Sequence, residues 1–91
     1  MHRNPTYAAH MLMSVRRLCK LRRRDVATAT RRVAEMLGPE FAIPACQLAD
    51  IERGRAIPTL CKLSSLCAVY GLEMPQLLPW FGDQPRLGAA A

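Results

Sequence analysis

The sequence predicts an all-α fold, a compact bundle of five helices in one domain. Apolar residues recur at three- and four-residue steps through most of the chain, which is the spacing of an amphipathic helix. Prolines and glycines divide this pattern into five segments at typical helix boundaries. No segment shows the two-residue alternation of a half-buried strand. A chain of 91 residues is long enough for one small domain and too short for two.

The first two predicted helices occupy the N-terminal half. Helix one opens on Asn4-Pro5, a cap followed by a first-turn proline, and ends near Leu21 or Arg22. Helix two covers about residues 24–37, because Gly38-Pro39 stops it. We expect its apolar stripe to be buried. That stripe comprises Val26, Ala29, Val33, Met36 and Leu37.

Three shorter helices are predicted after the connector that follows helix two. Pro44 opens helix three over residues 45–53, with Leu48 and Ile51 inward and Gly54 at its end. Helix four begins after Ile57, with Pro58 in its first turn, and ends at Gly71. The buried stripe of helix four comprises Leu60, Leu63, Leu66, Cys67 and Tyr70.

Helix five covers about residues 74–80, and its apolar side chains should seal the core. These side chains are Leu77, Leu78, Trp80 and Phe81. The domain therefore spans residues 1–82, followed by a flexible tail over residues 83–91. No stretch is apolar and long enough to span a membrane, and no secretory cleavage site follows the apolar part of helix one.

Charge is distributed unevenly along the chain. Residues 1–32 carry nine of the 13 cations and one acid, Asp25, within a net charge of +6. A cationic half beside a nearly neutral half favours phosphate, an anionic lipid surface or an acidic partner. The four cysteines form no CxxC pair, which indicates small apolar core residues in a reducing, cytoplasmic compartment.

A motif with fixed spacing begins at Ile43. It reads Ile43-Pro44-x-x-x-Leu48-x-x-Ile51-Glu52-x-Gly54, then Pro58-Thr59-Leu60-x-x-Leu63-x-x-Leu66-Cys67-x-x-Tyr70-Gly71-Leu72, then Leu77-Leu78. This pattern resembles the lambda-repressor-like helix-turn-helix family, of the Cro/C1 or XRE type. The resemblance covers about residues 12–80 and implies a small DNA-binding transcriptional regulator that is not an enzyme.

The sequence departs from the family in helix two. The family passes from a Leu-Ala pair to the recognition helix within about a turn and a half. Here Val26-Ala27 lies some sixteen residues before Ile43, and a second pair, Val33-Ala34, follows seven residues later. We therefore predict a second helix lengthened by about two turns and an enlarged connector, which could displace the recognition helix from its usual pose.

The resemblance implies a set of DNA-contacting residues. Helix three enters the major groove of duplex DNA, and the start of helix two meets the backbone. The implied phosphate contacts are Arg22, Arg23 and Arg24 at helix two and Arg53 and Arg55 beyond helix three. The implied base-contacting positions are Ala45, Cys46, Gln47 and Asp50.

Those base-contacting positions form a weak set for sequence recognition. Gln47 can pair with adenine, no arginine is available for guanine, and Asp50 would bring a negative charge to a polyanion. Glu52 has a structural role in the family, where it engages basic groups within the domain. Cys46 on the exposed face raises the hypothesis of a thiol whose oxidation alters binding.

Several alternatives stay open. The same scaffold could serve as a protein-interaction module, such as an antitoxin or adaptor, with weak or no DNA binding. A basic surface binder of anionic membranes is less favoured, because helix one lacks aromatic anchors. Helix five, with Trp80 and Phe81, is a candidate surface for a homodimer. We expect no cofactor, metal or catalytic constellation.

Overall fold

The protein is described by a computed structural model that defines residues 5–81 and the side chains of residues 7–79. No strand occurs among these residues, so the predicted all-α fold is confirmed for this part of the chain. The predicted tail, and the side chains of Trp80 and Phe81, lie outside the described residues. The five helices are α1 Pro5–Leu18, α2 Arg23–Leu37, α3 Ala45–Glu52, α4 Leu60–Tyr70 and α5 Met74–Leu77, with short 3-10 helices at Pro39–Phe41 and Leu78–Phe81.

Helix α1 ends earlier than the sequence predicts. Lys20 adopts a left-handed conformation, with φ of 61°, and donates its N–H to the carbonyl of Arg17 at 2.9 Å. Leu21 donates its N–H back to the carbonyl of Arg16 at 3.2 Å. These two bonds form a Schellman motif, which usually places glycine where Lys20 lies. The prediction placed the end near Leu21 or Arg22 because the apolar residues continue at three- and four-residue steps as far as Leu21.

Helix α2 has the predicted length, but its last turn is exposed. Val26 is fully buried, whereas Met36 and Leu37 are 80% and 57% exposed. The expectation that the whole apolar stripe would be buried is therefore wrong at its C-terminal end. The reason lies in the connector: Gly38, with φ of 130°, turns the chain away, and no described element covers the outer side of Met36.

The connector returns along α2 and is fixed at three points. The Ile43 N–H donates to Oγ1 of Thr30 at 3.0 Å, so the chain reaches the middle of α2 again after thirteen residues. From α4, Lys62 donates to the carbonyl of Ala42 at 2.8 Å and Ser65 donates to that of Phe41 at 2.6 Å. The last turns of α2 and the connector thus lead the chain away from Thr30 and return it there just before α3 begins.

Helices α3 to α5 follow the predicted order with shifted boundaries. Leu48 and Ile51 of α3 are buried as predicted. Helix α4 starts two residues after Pro58, because the Thr59 side chain accepts the N–H of Lys62 at 3.2 Å and caps the first turn. The fifth segment is a single α-helical turn that continues as a 3-10 helix.

One apolar core joins all five helices. Each helix contributes at least one fully or nearly fully buried side chain, and Ile43 adds one from the connector. The core residues are Leu12, Val26, Ile43, Leu48, Ile51, Leu63, Leu66, Cys67, Tyr70 and Leu77. Among the described helices, none combines the length and apolar character needed to cross a bilayer.

Candidate nucleic-acid interface

A buried carboxylate joins the first three helices. The side chain of Glu52, at the end of α3, is fully buried. Arg16 of α1 donates to it twice, from Nε to Oε2 at 2.6 Å and from Nη2 to Oε1 at 3.0 Å. Arg23, the first residue of α2, donates from Nε to Oε1 at 2.9 Å. We call these three residues the Glu52 junction.

The junction is satisfied by charge-assisted hydrogen bonds, as a buried carboxylate requires. Its hydrogen bond to Glu52 raises the pKa of Arg16, against the opposing effect of burial. Arg16 also donates to the carbonyl of Leu21 at 2.9 Å, which ties the end of α1 to the same point. The family-implied structural role of Glu52 therefore matches its contacts in this chain.

Tyr70 of α4 lies close to the junction. Burial raises the pKa of Tyr70, and the negative charge of Glu52 raises it further. Its hydroxyl is buried and has no hydrogen-bond partner among the described residues. The tyrosine therefore fills space beside the ion pairs without stabilising them through a hydrogen bond.

The junction brings together two basic stretches that are distant in sequence, residues 16–24 and residues 53–55. Arg16 lies near the end of α1, Arg23 at the start of α2 and Glu52 at the end of α3, so these three helix ends meet. Eight of the chain's 13 cations belong to these stretches. Six of them are exposed, and we call this surface the cationic pole. It comprises Arg17, Lys20, Arg22, Arg24, Arg53 and Arg55.

The three predicted phosphate contacts at the start of α2 differ in availability. Arg23 faces inward and donates from Nε to Glu52, with 33% of its side chain exposed, so it is less available to phosphate than Arg22 or Arg24. Arg22 pairs with Asp25 at 3.2 Å and remains 68% exposed. Arg24 is exposed and makes no ion pair within the described part of the chain.

The start of α2 is capped by an acid. The backbone N–H of Arg22 donates to Oδ2 of Asp25 at 2.8 Å, and this bond, together with the Arg22 side chain, lowers the pKa of Asp25. A carboxylate in the first turn also offsets the unfavourable interaction of the arginines with the helix dipole. Asp25 therefore offsets part of the cost of placing three consecutive arginines at the start of a helix.

Helix α3 presents its predicted base-contacting positions outward to different degrees. Cys46 is exposed, whereas Ala45, Gln47 and Asp50 are half-buried. Oε1 of Gln47 is shielded from solvent and has no hydrogen-bond partner among the described residues. Pairing with adenine needs both ends of the amide, so Gln47 would have to rotate outward first.

Two further cations lie beyond α3. Arg53 is exposed and has no ion pair within residues 7–79. Arg55 is 69% exposed, and its Nη1 lies 4.0 Å from Oδ1 of Asp50. Arg55 thus partly screens the carboxylate that would otherwise face a polyanion, although an exposed pair at this distance is weak.

Three residues of this region were not predicted from the sequence to belong to the site. Arg16 was included only in the count of cations in residues 1–32, although it lies four residues after the buried Leu12 on the inner face of α1. That spacing was an available signal. Arg17 and Lys20 were not assigned to the site because the meeting of the helix ends depends on tertiary packing.

The sequence predicted that the cysteines are small apolar core residues, and this prediction is wrong for two of the four. Cys19 and Cys46 are exposed, Cys61 is half-buried, and only Cys67 is buried. Burial raises the pKa of the Cys67 thiol, whose sulfur lies 3.5 Å from that of Met74. No group of three or more potential metal-binding side chains occurs within the described residues.

Comparisons with protein-family models, with curated proteins and with solved structures find no match to this chain.

Proposed function

We propose that this protein is a small cytoplasmic DNA-binding regulator of the XRE-like helix-turn-helix class. The cationic pole captures the phosphate backbone of duplex DNA, and α3 enters the major groove. The observation that carries this proposal is the convergence of two basic stretches, residues 16–24 and residues 53–55, on the Glu52 junction. Six exposed cations follow or flank the helix ends that meet at this junction, and clustered cations are the electrostatic footprint of a nucleic-acid-binding surface.

The contacts suggest a division of roles within the pole. Arg22 and Arg24 meet phosphate at the start of α2, and Arg53 and Arg55 meet it beyond α3. Arg23 and Arg16 act indirectly, by holding the helix ends together through Glu52. Phosphate contacts position a protein on DNA without conveying sequence, so the pole supplies affinity rather than specificity.

Sequence recognition in this proposal is weak. Cys46 and Ala45 offer only small contacts, and Gln47 must expose its amide before it can pair with a base. When it rotates outward to an adenine, its unpaired Oε1 gains a partner, which favours the bound conformation. The protein should therefore bind most duplexes and prefer those with a suitably placed adenine.

The return of the connector to Thr30 supports a usual placement of α3. The sequence indicated that the long second helix could displace the recognition helix from its usual position. The bond from Ile43 to Thr30 brings the start of α3 back beside α2, and Glu52 ties its end to the start of α2. The extra turns therefore extend outward while α3 remains anchored at both ends.

The test measures duplex binding by fluorescence anisotropy across a salt series. Four phosphate contacts predict a slope of log K against log salt of about −3.6. Arg24→Ala should flatten that slope by about 0.9. Arg31→Ala is the matched control, because it removes the same charge from the same side of α2, two turns further along. Equal effects of the two changes would refute the assignment of the pole.

A second candidate function is a protein-interaction module on the same scaffold. The observation that favours it is Asp50, half-exposed in the middle of the face that would meet DNA. Absence of duplex binding at low salt would favour this module over a DNA-binding regulator. Replacing Asp50 with asparagine distinguishes the two functions, since it should strengthen DNA binding and weaken recognition of a basic protein.

A further inference from the structure

The outer side of α1 carries apolar residues at the spacing of a coiled-coil seam. Tyr7, Met11, Ser14 and Leu18 follow one another at steps of four, three and four residues. Tyr7 and Leu18 are 54% and 81% exposed, and Met11 and Ser14 are half-buried. A rotation of about 100° per residue places all four within an arc of about 60° on the helix. We call these four residues the α1 stripe.

The α1 stripe points away from the core of the domain. Arg16 lies on the opposite side of the helix, where it binds Glu52 of α3. The rotation of the helix centres the buried residues of α1 about 140° from the stripe. The packing of α1 against the core therefore does not use the stripe. The buried residues of α1 are Ala8, Ala9, Leu12 and Arg16.

One flank of the α1 stripe is basic. His10 and Arg17, seven residues apart, are both exposed along this flank, and neither makes an ion pair within residues 7–79. Lys20 and Arg22 continue the positive charge beyond the end of the helix. No carboxylate precedes Asp25 in the sequence. The charged side chains beside the stripe are therefore all cationic.

We propose that the α1 stripe docks a helix of another protein that carries apolar residues at heptad spacing and carboxylates along its flank. An arc of about 60° matches the narrow seam between two paired helices, whereas a helix that covers a core uses an apolar face of at least about 100°. His10 and Arg17 lie beside the seam, where a coiled coil places its interhelical ion pairs. An acidic helix meets both cations while its apolar residues cover Met11 and Leu18.

Charge and shape favour an acidic helix over other occupants of the stripe. Two copies of α1 would bring only cations to each flank, and like charges there disfavour pairing. The phosphate backbone of DNA would meet the cations but leave Met11 and Leu18 without apolar contacts. Binding to a lipid surface scales with buried apolar area, and the other apolar side of α1 already lies in the core. Three helical turns bury less than the roughly 800 Å² per partner of a standard interface, so the complex should be weak.

Docking at the α1 stripe is independent of DNA binding, and the test contains no DNA, so either proposal can fail without the other. The probe is a fluorescein-labelled synthetic peptide of three heptads, with leucine at positions a and d and glutamate at e and g. Its binding to the full chain is measured by fluorescence anisotropy at low salt. We expect saturable binding, and binding weaker by about tenfold or more for a matched peptide with lysine at e and g.

Two pairs of variants locate the binding surface. Leu18→Gln should weaken binding of the glutamate peptide by about tenfold, because an apolar contact is lost. Met36→Gln is the matched control, since it makes the same kind of change at an exposed apolar residue of α2, and should leave binding unchanged. Arg17→Glu should weaken the glutamate peptide by about tenfold and strengthen the lysine peptide. Arg32→Glu makes the same change of charge on α2 and should keep the preference of the unchanged protein.

The comparison of the two peptides uses the unchanged protein, so it remains decisive if a variant fails to fold. No saturable binding, equal binding of the two peptides, or equal effects of Leu18→Gln and Met36→Gln overturns the proposal. Sedimentation with phosphatidylserine vesicles tests the lipid surface. Vesicle binding that depends on Leu18, without binding of the glutamate peptide, would assign the stripe to a membrane and would also overturn the proposal.

Discussion

Replacing Glu52 with glutamine tests the junction that gathers the basic helix ends. The carboxylate is fully buried and accepts three hydrogen bonds from two guanidinium groups. Glutamine keeps the shape, but it removes the charge and turns an NH₂ group towards a guanidinium donor. Arg16, whose side chain is only 9% exposed, is then left buried without a counter-charge. Breaking a buried pair in this way costs about 3–5 kcal/mol.

Urea unfolding followed by circular dichroism measures this loss. With a slope of about 1–1.5 kcal/mol per molar urea for a domain of this size, the midpoint should fall by roughly 2–5 M. A triple variant, Arg16→Met/Arg23→Met/Glu52→Leu, should recover most of the stability, because all three charges are removed together. A loss below about 1 kcal/mol for Glu52→Gln would be typical of an exposed pair and would refute the argument.

Three further predictions concern stability. Lys20→Gly should stabilise the fold by about 1 kcal/mol and raise Tm by about 4–8 °C, because glycine adopts the left-handed conformation without strain. Lys20→Ala is the control, because it removes the same charge but keeps the strain. Thr30→Val should cost about 1–3 kcal/mol in urea unfolding, because the buried N–H of Ile43 loses its acceptor, whereas Thr30→Ser should retain most of the stability. Tyr70→Phe should be neutral or stabilising by about 1 kcal/mol at neutral pH. The raised pKa of Tyr70 means that the stability present below a pH of about 10 is lost as the pH rises further. The phenylalanine variant cannot ionise and should therefore resist alkaline unfolding better. An equal loss of stability at alkaline pH in both proteins would contradict this.

The helices were predictable because their signals are local. Periodic apolar residues and the stops at Gly38 and Gly71 depend only on neighbouring positions in the chain. The inward placement of Leu48 and Ile51 followed from the same periodicity. The end of α1 was missed because its left-handed residue is Lys20, and only tertiary contacts of Leu21 and Arg16 require the turn there.

The electrostatic site was only partly predictable. The sequence indicated which residues are cationic, but the partner of each guanidinium depends on the packing of distant segments. Arg23 and Arg24 are neighbours of the same type, and yet one is bound to Glu52 and the other is exposed. The outer side of Met36 was expected to be buried, because an amphipathic pattern shows that a face is apolar without showing what covers it.

The most direct test of the account is a map of duplex contacts by NMR. Backbone amide shifts of the labelled protein are followed as a short DNA duplex is added at low salt. We expect the largest changes in residues 22–24, 45–47 and 53–55, with residues 31–37 little affected. Changes concentrated in residues 31–37, or no changes at all, would contradict the assignment of the cationic pole and α3 as the DNA-binding surface.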